Sequence, residues 1–413
     1  MGFEQALSGL NAATQNLDTI GNNIANASTI GFKGARAEFA DVYATSLWGA
    51  SSTQIGIGTQ TAAIAEQFTQ GNITTTGNPL DVAINGGGFF RETTNGVVSY
   101  SRDGQFSLNA NGNIVNSLGS MLTGYAATAT GAISSAPPVP LTLSQAPVAP
   151  NATTTASFSL NLNSGATAIP AATTFSAANA SSYNSSTSTT VYDSQGNSHT
   201  LTLYFAKSPT VTNSWNVYAT GDGTALNGGA AVGTLAFNTS GTLASGADVT
   251  MNLSMPLTGS GAATPLAIAT TFPVASTSQY GVPFSVSANA QNGYATGQLA
   301  GFSIGTDGVI TGRYTNGQTR AQGQIALVSF INPQGLIAQG GNQFSESPAS
   351  GAPIVGAPGS GSLGQIQSGA LESSTVDLTK ELVNMITAQR VYQANAETVK
   401  TEDQVQQTLM NLR

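Results

Sequence analysis

The sequence predicts a mainly β chain closed at each end by an α-helix. N- and C-terminal coiled-coil helices pair with each other, a discontinuous β domain lies between them, and a second β domain is inserted into the first. Three observations predict this. Apolar residues near both termini recur at alternating spacings of three and four, the pattern of a coiled-coil seam. Between them, short alternating runs are broken by Gly, Asn, Asp and Pro turn signals. In the middle the composition shifts to Ala, Ser, Thr, Asn and Pro, and from Gln145 to Phe284 the only charged side chains are Asp193, Lys207, Asp222 and Asp248.

The first helix is expected over residues 3–27. Its stripe runs Phe3, Ala6, Leu10, Ala13, Leu17, Ile20, Ile24 and Ala27, with Gln5, Asn11, Gln15, Asn16, Asp18 and Asn22 on the other faces. At ~1.5 Å per residue such a helix is about 37 Å long. The last helix is expected after a capping box formed by Ser374 and Asp377. Its stripe runs Leu378, Leu382, Met385, Tyr392, Ala396 and Val399, is interrupted by Gln389, and then drifts to Val405, Leu409 and Leu412 as a stutter in the repeat. Neither helix can bury its seam alone. The economical solution is that they pack on each other or on neighbouring copies of the chain; packing on the chain's own β core is the alternative.

The β reading starts from the turns. Gly77-Asn78-Pro79, Asn85-Gly86-Gly87-Gly88, Asn95-Gly96, Asp103-Gly104 and Asn111-Gly112 punctuate residues 71–130, and Asp307-Gly308 and Asn316-Gly317 punctuate 297–345. Asn-Gly and Asp-Gly suit two-residue hairpin turns, which need positive φ. Within the middle stretch, Thr200–Phe205 and Trp215–Tyr218 read as aromatic strands and argue against disorder. The expected division is 1–72 with 366–413 for the helical layer and its connecting segments, 73–144 with 293–365 for the discontinuous β domain, and 145–292 for the inserted one.

Composition excludes several function classes. With 11 Lys and Arg against 19 Asp and Glu, the chain carries a net charge of −8 and no basic patch, so nucleic acid is not an expected partner. There is no Cys and one His, His199, which leaves no material for thiolate chemistry, a catalytic triad or a His-rich metal centre. Asp193, Gln195 and Asn197 have only a faint calcium-loop spacing and are better read as a turn; no cofactor and no metal are expected. No window approaches ~18 consecutive apolar residues, so no membrane insertion is expected. Residues 1–27 lack the basic and continuous apolar regions of a secretory signal, so an exported protein with this start would need a route other than an ordinary cleaved signal peptide.

The segment Asn22-Asn23-Ile24-Ala25-Asn26-Ala27-Ser28-Thr29-Ile30-Gly31-Phe32-Lys33 resembles the signature of flagellar rod and hook proteins. The run Thr74–Phe90, the block Tyr100–Phe106 with Asn111-Gly112-Asn113 and Gly124-Tyr125, and the C-terminal segments Ser368–Leu378 and Met385–Asn395 continue the resemblance, in order, over about half the chain. Gly305–Gly317, Gly323–Val328 and Asn332–Leu336 look like the hook branch of that family. The family motif maps onto Asn22, Asn23, Asn26, Thr29, Gly31 and Phe32.

The resemblance implies a non-enzymatic subunit that self-assembles into a curved, flexible tube outside the cell, a universal joint between rod and filament. It implies as partners other copies of the chain, a hook cap protein, the distal rod protein, a hook–filament junction protein and the flagellar export apparatus. Inter-subunit packing is expected at Phe3, Leu10, Leu17, Ile20, Ile24, Leu378, Leu382, Met385, Tyr392 and Val399. A distal rod or junction protein is the nearest alternative; a secreted β-rich adhesin or surface-layer protein would leave the terminal heptads unexplained.

Overall fold

A computed structural model of the chain describes residues 2–42, 56–257 and 261–411. The chain divides into two compact units: Met1–Gln145 with Gly301–Arg313 and Thr319–Arg413, and Ala146–Ala300 with Tyr314–Gln318.

The first unit carries both helices, α1 (Gly2–Ala25) and α2 (Leu378–Asn411). Helix α1 stops before Ala27, because the backbone tightens there: the Asn26 N–H is shared between the carbonyls of Asn22 and Asn23, and the Ala27 N–H reaches Ile24. Helix α2 is capped by Asp377 itself, whose carboxylate accepts from the N–H groups of Thr379 (2.9 Å) and Lys380 (3.2 Å). Ser374 lies outside the helix and accepts only from Val376 N–H. The two helices lie antiparallel. A Cβ placed on Gly9 of α1 would stand 3.0 Å from the Asn395 side chain on α2, while the segment leading into α2 sits beside Gly34, just beyond the end of α1.

After α1 the chain forms an antiparallel hairpin, Ala35–Val42 with Gly58–Glu66, with a register shift at Glu38/Phe39. The β domain follows. Its central strands run in the spatial order Thr319–Ile325, Met121–Ala126, Phe89–Thr94, Val97–Ser101, Gln343–Ser345 and Ile337–Gly340, so the two halves of the chain interleave in one sheet. Phe89, Tyr100, Val328, Phe330 and Phe344 form a core there, with edge-on ring pairs such as Tyr100–Phe330 at 4.8 Å. Two short ladders bring the returning chain beside the outgoing one: Gln365–Ser368 on Val82–Asn85, and Ala370–Glu372 on Ile73–Thr75. These ladders deliver the start of α2 to the end of α1.

Of the Asn-Gly and Asp-Gly pairs singled out above, only Asn95-Gly96 takes positive φ at both residues (52° and 86°). At Asp103, Asn111, Asp307 and Asn316 the first residue keeps a negative φ. Asp103, Asp307 and Asn316 instead spend their side-chain oxygen on a backbone N–H two residues on, the Asx-turn alternative.

The second unit is two five-stranded sheets around a shared core. Strand Thr155–Asn163 pairs parallel with Leu266–Phe272 and with Ser278–Tyr280, and antiparallel with Ser285–Gln291. The facing sheet is built on Ser185–Tyr192, Ser198–Lys207 and Ser214–Gly221, all antiparallel, so the two aromatic strands read from the sequence are neighbours with Tyr204 opposite Tyr218. Inward residues alternate along the strands, and Phe158, Phe205, Trp215 and Phe272 are fully buried between the sheets. The Trp215 indole N–H donates to the Gln279 side-chain carbonyl at 2.8 Å, which satisfies the one polar atom this burial would strand.

Candidate assembly interface and the junction that anchors it

The terminal helices present a surface that the other described residues do not cover. On α1, Ala6, Ala12, Ala13, Thr19, Ile20 and Asn23 are buried. Leu10, Leu17 and Ile24, one heptad position of the expected seam, are only half-buried, and Phe3 is 38% exposed. On α2 the apolar stripe is open: Leu378 is 48% exposed, Leu382 46% and Tyr392 38%, with Val383, Ile386, Val391 and Val405 also exposed. Met385, Ala396 and Val399 are half-buried, and Ala388 is the one buried residue among the described α2 side chains. Leu412 and the side chain of Leu409 lie outside the described residues.

Of the ten residues expected to pack between subunits, the fold therefore buries Ile20 within the chain and leaves the other nine at least partly accessible. Between α1, α2 and the hairpin lies a half-open groove of about 1020 Å³, lined in part by Ala13, Asn16, Ile20, Asn384, Ala388 and Asn395. Small and polar residues such as Gly9, Ala12, Ala13, Asn16, Asn384 and Asn395 line much of it, with Ile20, Phe39 and Val391 among them.

The motif residues build the mount for this helical pair. Asn23 holds the first residue of the hairpin with both ends of its amide: Nδ2 donates to the Ala35 carbonyl (2.8 Å) and Oδ1 accepts from the Ala35 N–H (2.9 Å). Asn26 Nδ2 donates to the Asn22 side chain (2.7 Å), and the Thr29 hydroxyl donates to Asn26 Oδ1 (3.1 Å), which fixes the turn after the helix. Gly31 has φ +70°, and a Cβ there would stand 2.7 Å from the Arg102 backbone, so a side chain is excluded twice over. The Phe32 carbonyl accepts from Thr375 N–H, and the Thr375 hydroxyl accepts from Gly34 N–H, binding the segments that flank α1 and α2 to each other.

Beneath them sits a buried ion cluster. Lys33 Nζ meets Glu372 Oε1 at 2.6 Å, and Arg102 reaches Glu372 Oε2 at 3.2 Å; all three side chains are at most 5% exposed. Lys33 also donates to the Thr69 carbonyl, Arg102 donates to the Gly86 carbonyl and lies over the Phe89 ring, and Glu372 accepts from Gly71 N–H. Burial pulls the pKa of Lys33 and of Arg102 downward more than Glu372 pulls either back up. Two desolvated cations thus depend on one carboxylate. The three residues come from three chain segments: the one leaving α1, a turn of the β domain, and the one leading into α2. Each stood inside a family block in the sequence, but nothing local there pairs positions 33, 102 and 372. The signal available was the oddity of charges beside Gly and apolar neighbours in a chain whose charged residues are 7% of the total.

Comparison with known proteins bears on what this surface is for. Residues 3–33 match the flagella basal body rod protein model, 83–168 the flagellar hook protein FlgE/F/G D1 domain, 161–294 the flagellar basal body protein FlaE D2 domain, and 367–412 the flagellar basal body rod FlgEFG protein C-terminal model. The chain is 45% identical over 416 residues to the flagellar hook protein FlgE of Escherichia coli K12, with all of both chains covered. The chain belongs to the flagellar hook protein family. It is a structural subunit of the hook, and the family is not an enzymatic one. The hook protein of Salmonella typhimurium is 46% identical over 418 residues with both chains fully covered, and that of Rhizobium meliloti is 35% identical over 98% of this chain and 97% of the relative. The crystal structure of the Helicobacter pylori hook protein FlgE2, at 16% identity, shares the fold with a TM-score of 0.52 over 73% of this chain and 100% of that one. Hook-family membership means self-polymerisation and a place in the extracellular flagellum; among the described residues no helix is long and apolar enough to cross a membrane.

Proposed function

We propose that the chain polymerises into a short, curved, bendable tube that works as a universal joint, passing torque from rod to filament. The helical layer of 1–72 and 366–413 lines the inside, and the insert at about 145–292 lies outermost and sets curvature through weak polar contacts. The observation that carries this reading is the open apolar stripe of α2, from Leu378 through Leu382 and Ile386 to Tyr392, beside a groove that α1 leaves unfilled. Burying that stripe against neighbours supplies roughly 25 cal/mol per Å² of apolar surface. A continuous helical inner wall resists twist because packed side chains deform little. The charge-poor insert offers contacts that exchange easily as the tube bends.

The same reading assigns as partners the hook cap protein, the distal rod protein, the hook–filament junction protein and the export apparatus, with export that needs no cleaved signal peptide. Electron microscopy of the purified chain after polymerisation tests it. Short curved tubes are the expected product. Straight rods would move the assignment to a rod-like role, and a chain that stays monomeric at high concentration would remove the assembly role from the helices.

A further inference from the structure

Among its described residues the charge-poor second unit contains one cluster that pairs a histidine with carboxylates, and its place in the fold is specific. His199, on strand Ser198–Lys207, is wedged between two carboxylates: Nδ1 stands 2.7 Å from Asp222 Oδ2, and Nε2 stands 3.3 Å from Asp193 Oδ2. The imidazole is 10% exposed, Asp193 is fully buried, and Asp222 is half open to solvent. Asp193 already accepts from the N–H groups of Gln195 and Asn197 and from the Asn197 amide. Asp222 accepts from Thr200 N–H and sits at φ +49° in the turn after strand Ser214–Gly221. The histidine thus joins two turns, 193–197 and 222–223. No other charged group competes: Lys207 is bound to the carbonyls of Ser164 and Ala166, and Asp248 accepts from Val274 N–H.

The 193–197 turn is packed on the neck of the unit. The incoming and outgoing chains run side by side there, bridged at Val148–Gly297 and Asn151–Tyr294. Gly196, at φ +88°, fits between them, and a Cβ on it would stand 2.8 Å from Pro150 and 3.3 Å from the Thr296 nitrogen. Just before the turn, Thr153 exchanges hydrogen bonds with the backbone of Tyr192.

We propose that His199 is a proton-operated bracket at this neck: charged, it ties both turns together and holds the 193–197 turn against the incoming and outgoing chains; neutral, it lets go of one carboxylate. The chemistry is that of the ring. An imidazolium has two N–H donors and satisfies both carboxylates, whereas neutral imidazole has one donor and turns a lone pair toward the other carboxylate. Burial by itself pulls the His199 pKa down, but the hydrogen bonds and charges of Asp222 and Asp193 outweigh it and the pKa lies above 6.5. A raised folded-state pKa means that the bracket's stabilisation is complete below 6.5 and is lost as pH rises through the folded-state value.

The test uses the full chain as a monomer, in which the one histidine gives one imidazole signal by NMR. The titration midpoint is expected above that of a free histidine. Asp222→Asn, a change at an exposed side chain, is expected to shift it downward while leaving the fold intact. Hydrogen exchange at 193–197, corrected for the intrinsic rate, is expected to accelerate once pH passes the midpoint and to be fast and pH-independent in His199→Gln. A midpoint at or below 6.5, a midpoint unmoved by Asp222→Asn, or turn exchange that ignores the protonation state would each overturn the proposal.

Discussion

The inserted unit and the terminal helices treat apolar side chains in opposite ways. In the insert, Phe158, Leu201, Phe205, Trp215 and Phe272 close on one another and nothing needs adding. In α2 an apolar stripe of comparable chemistry stays in water, and only Ala388 is buried among the described side chains. Hydrophobic residues are therefore not serving one purpose throughout this chain. The insert uses them to finish a domain, while α2 leaves them exposed, where the proposed assembly would bury them. The junction of Lys33, Arg102 and Glu372 stands between these cases: it exposes nothing, and it fixes the bases of both helices to a finished β domain.

The sharpest way to break this comparison is to charge the open stripe. Leu382→Asp with Ile386→Asp should abolish tube formation, scored by electron microscopy. Both residues are about half exposed, so the monomer should lose little stability, within roughly 0.5 kcal/mol per surface site. The reciprocal change is Trp215→Ala, which should cost about 3–5 kcal/mol in urea unfolding of the insert through the cavity it leaves, with α2 helicity by circular dichroism unaltered. If both changes unfold the monomer equally, the two regions are not distinct.

Glu372→Gln comes next. It leaves Lys33 and Arg102 buried without a counter-charge, at a cost of about 3–5 kcal/mol. By contrast Glu38→Gln, in the exposed Arg36–Glu38 pair, should change stability by about 0–1 kcal/mol. Equal effects on chemical denaturation would mean that the buried cluster does not anchor the helices.

Much of this was readable in advance, for a physical reason. Helical stripes and strands such as Thr200–Phe205 are written in neighbouring residues, and turns mostly in Gly, Asn and Asp. Which half of a stripe faces inward is not written locally. Ala13 and Ile20 turn toward the chain's own groove while Leu10 and Leu17 stay half open. Asn16, polar and assigned to an outer face, lines that groove together with Asn384 and Asn395. An Asn-Gly or Asp-Gly pair does not by itself specify a positive-φ turn, since an Asx oxygen can close a turn without it. The parallel pairing of 155–163 with 266–272, and the meeting of 33, 102 and 372, join segments far apart in sequence.

A smaller contrast concerns two fully buried carboxylates. Burial pushes the Glu92 carboxyl up to about 8. Asn116 and Gln343 donate to one of its oxygens, and the other has no partner. Burial acts the same way on Asp193, but its hydrogen bonds to Asn197, Gln195 and His199 outweigh that and hold it down at about 2. The signs are opposite. Glu92 stabilises fully below its unfolded value of 4.5 and loses that contribution as pH rises toward 8, on the order of 3 kcal/mol by pH 7. Asp193 stabilises above 3.8 and loses its contribution as pH falls through about 2. Glu92→Gln should flatten the stability of the β domain between pH 5 and 8, and Asp193→Asn should weaken the insert at neutral pH, both read by denaturation followed at several pH values.

The central claim is that α2 completes its burial only against neighbouring copies. Hydrogen–deuterium exchange with mass spectrometry, on the full chain before and after polymerisation, tests it most directly. Peptides from 378–411 should exchange quickly in the monomer and become strongly protected in tubes, while peptides from 155–163 and 214–221 should be protected equally in both. Helix α2 already as protected in the monomer as the insert's strands, or unprotected in tubes, would contradict the account.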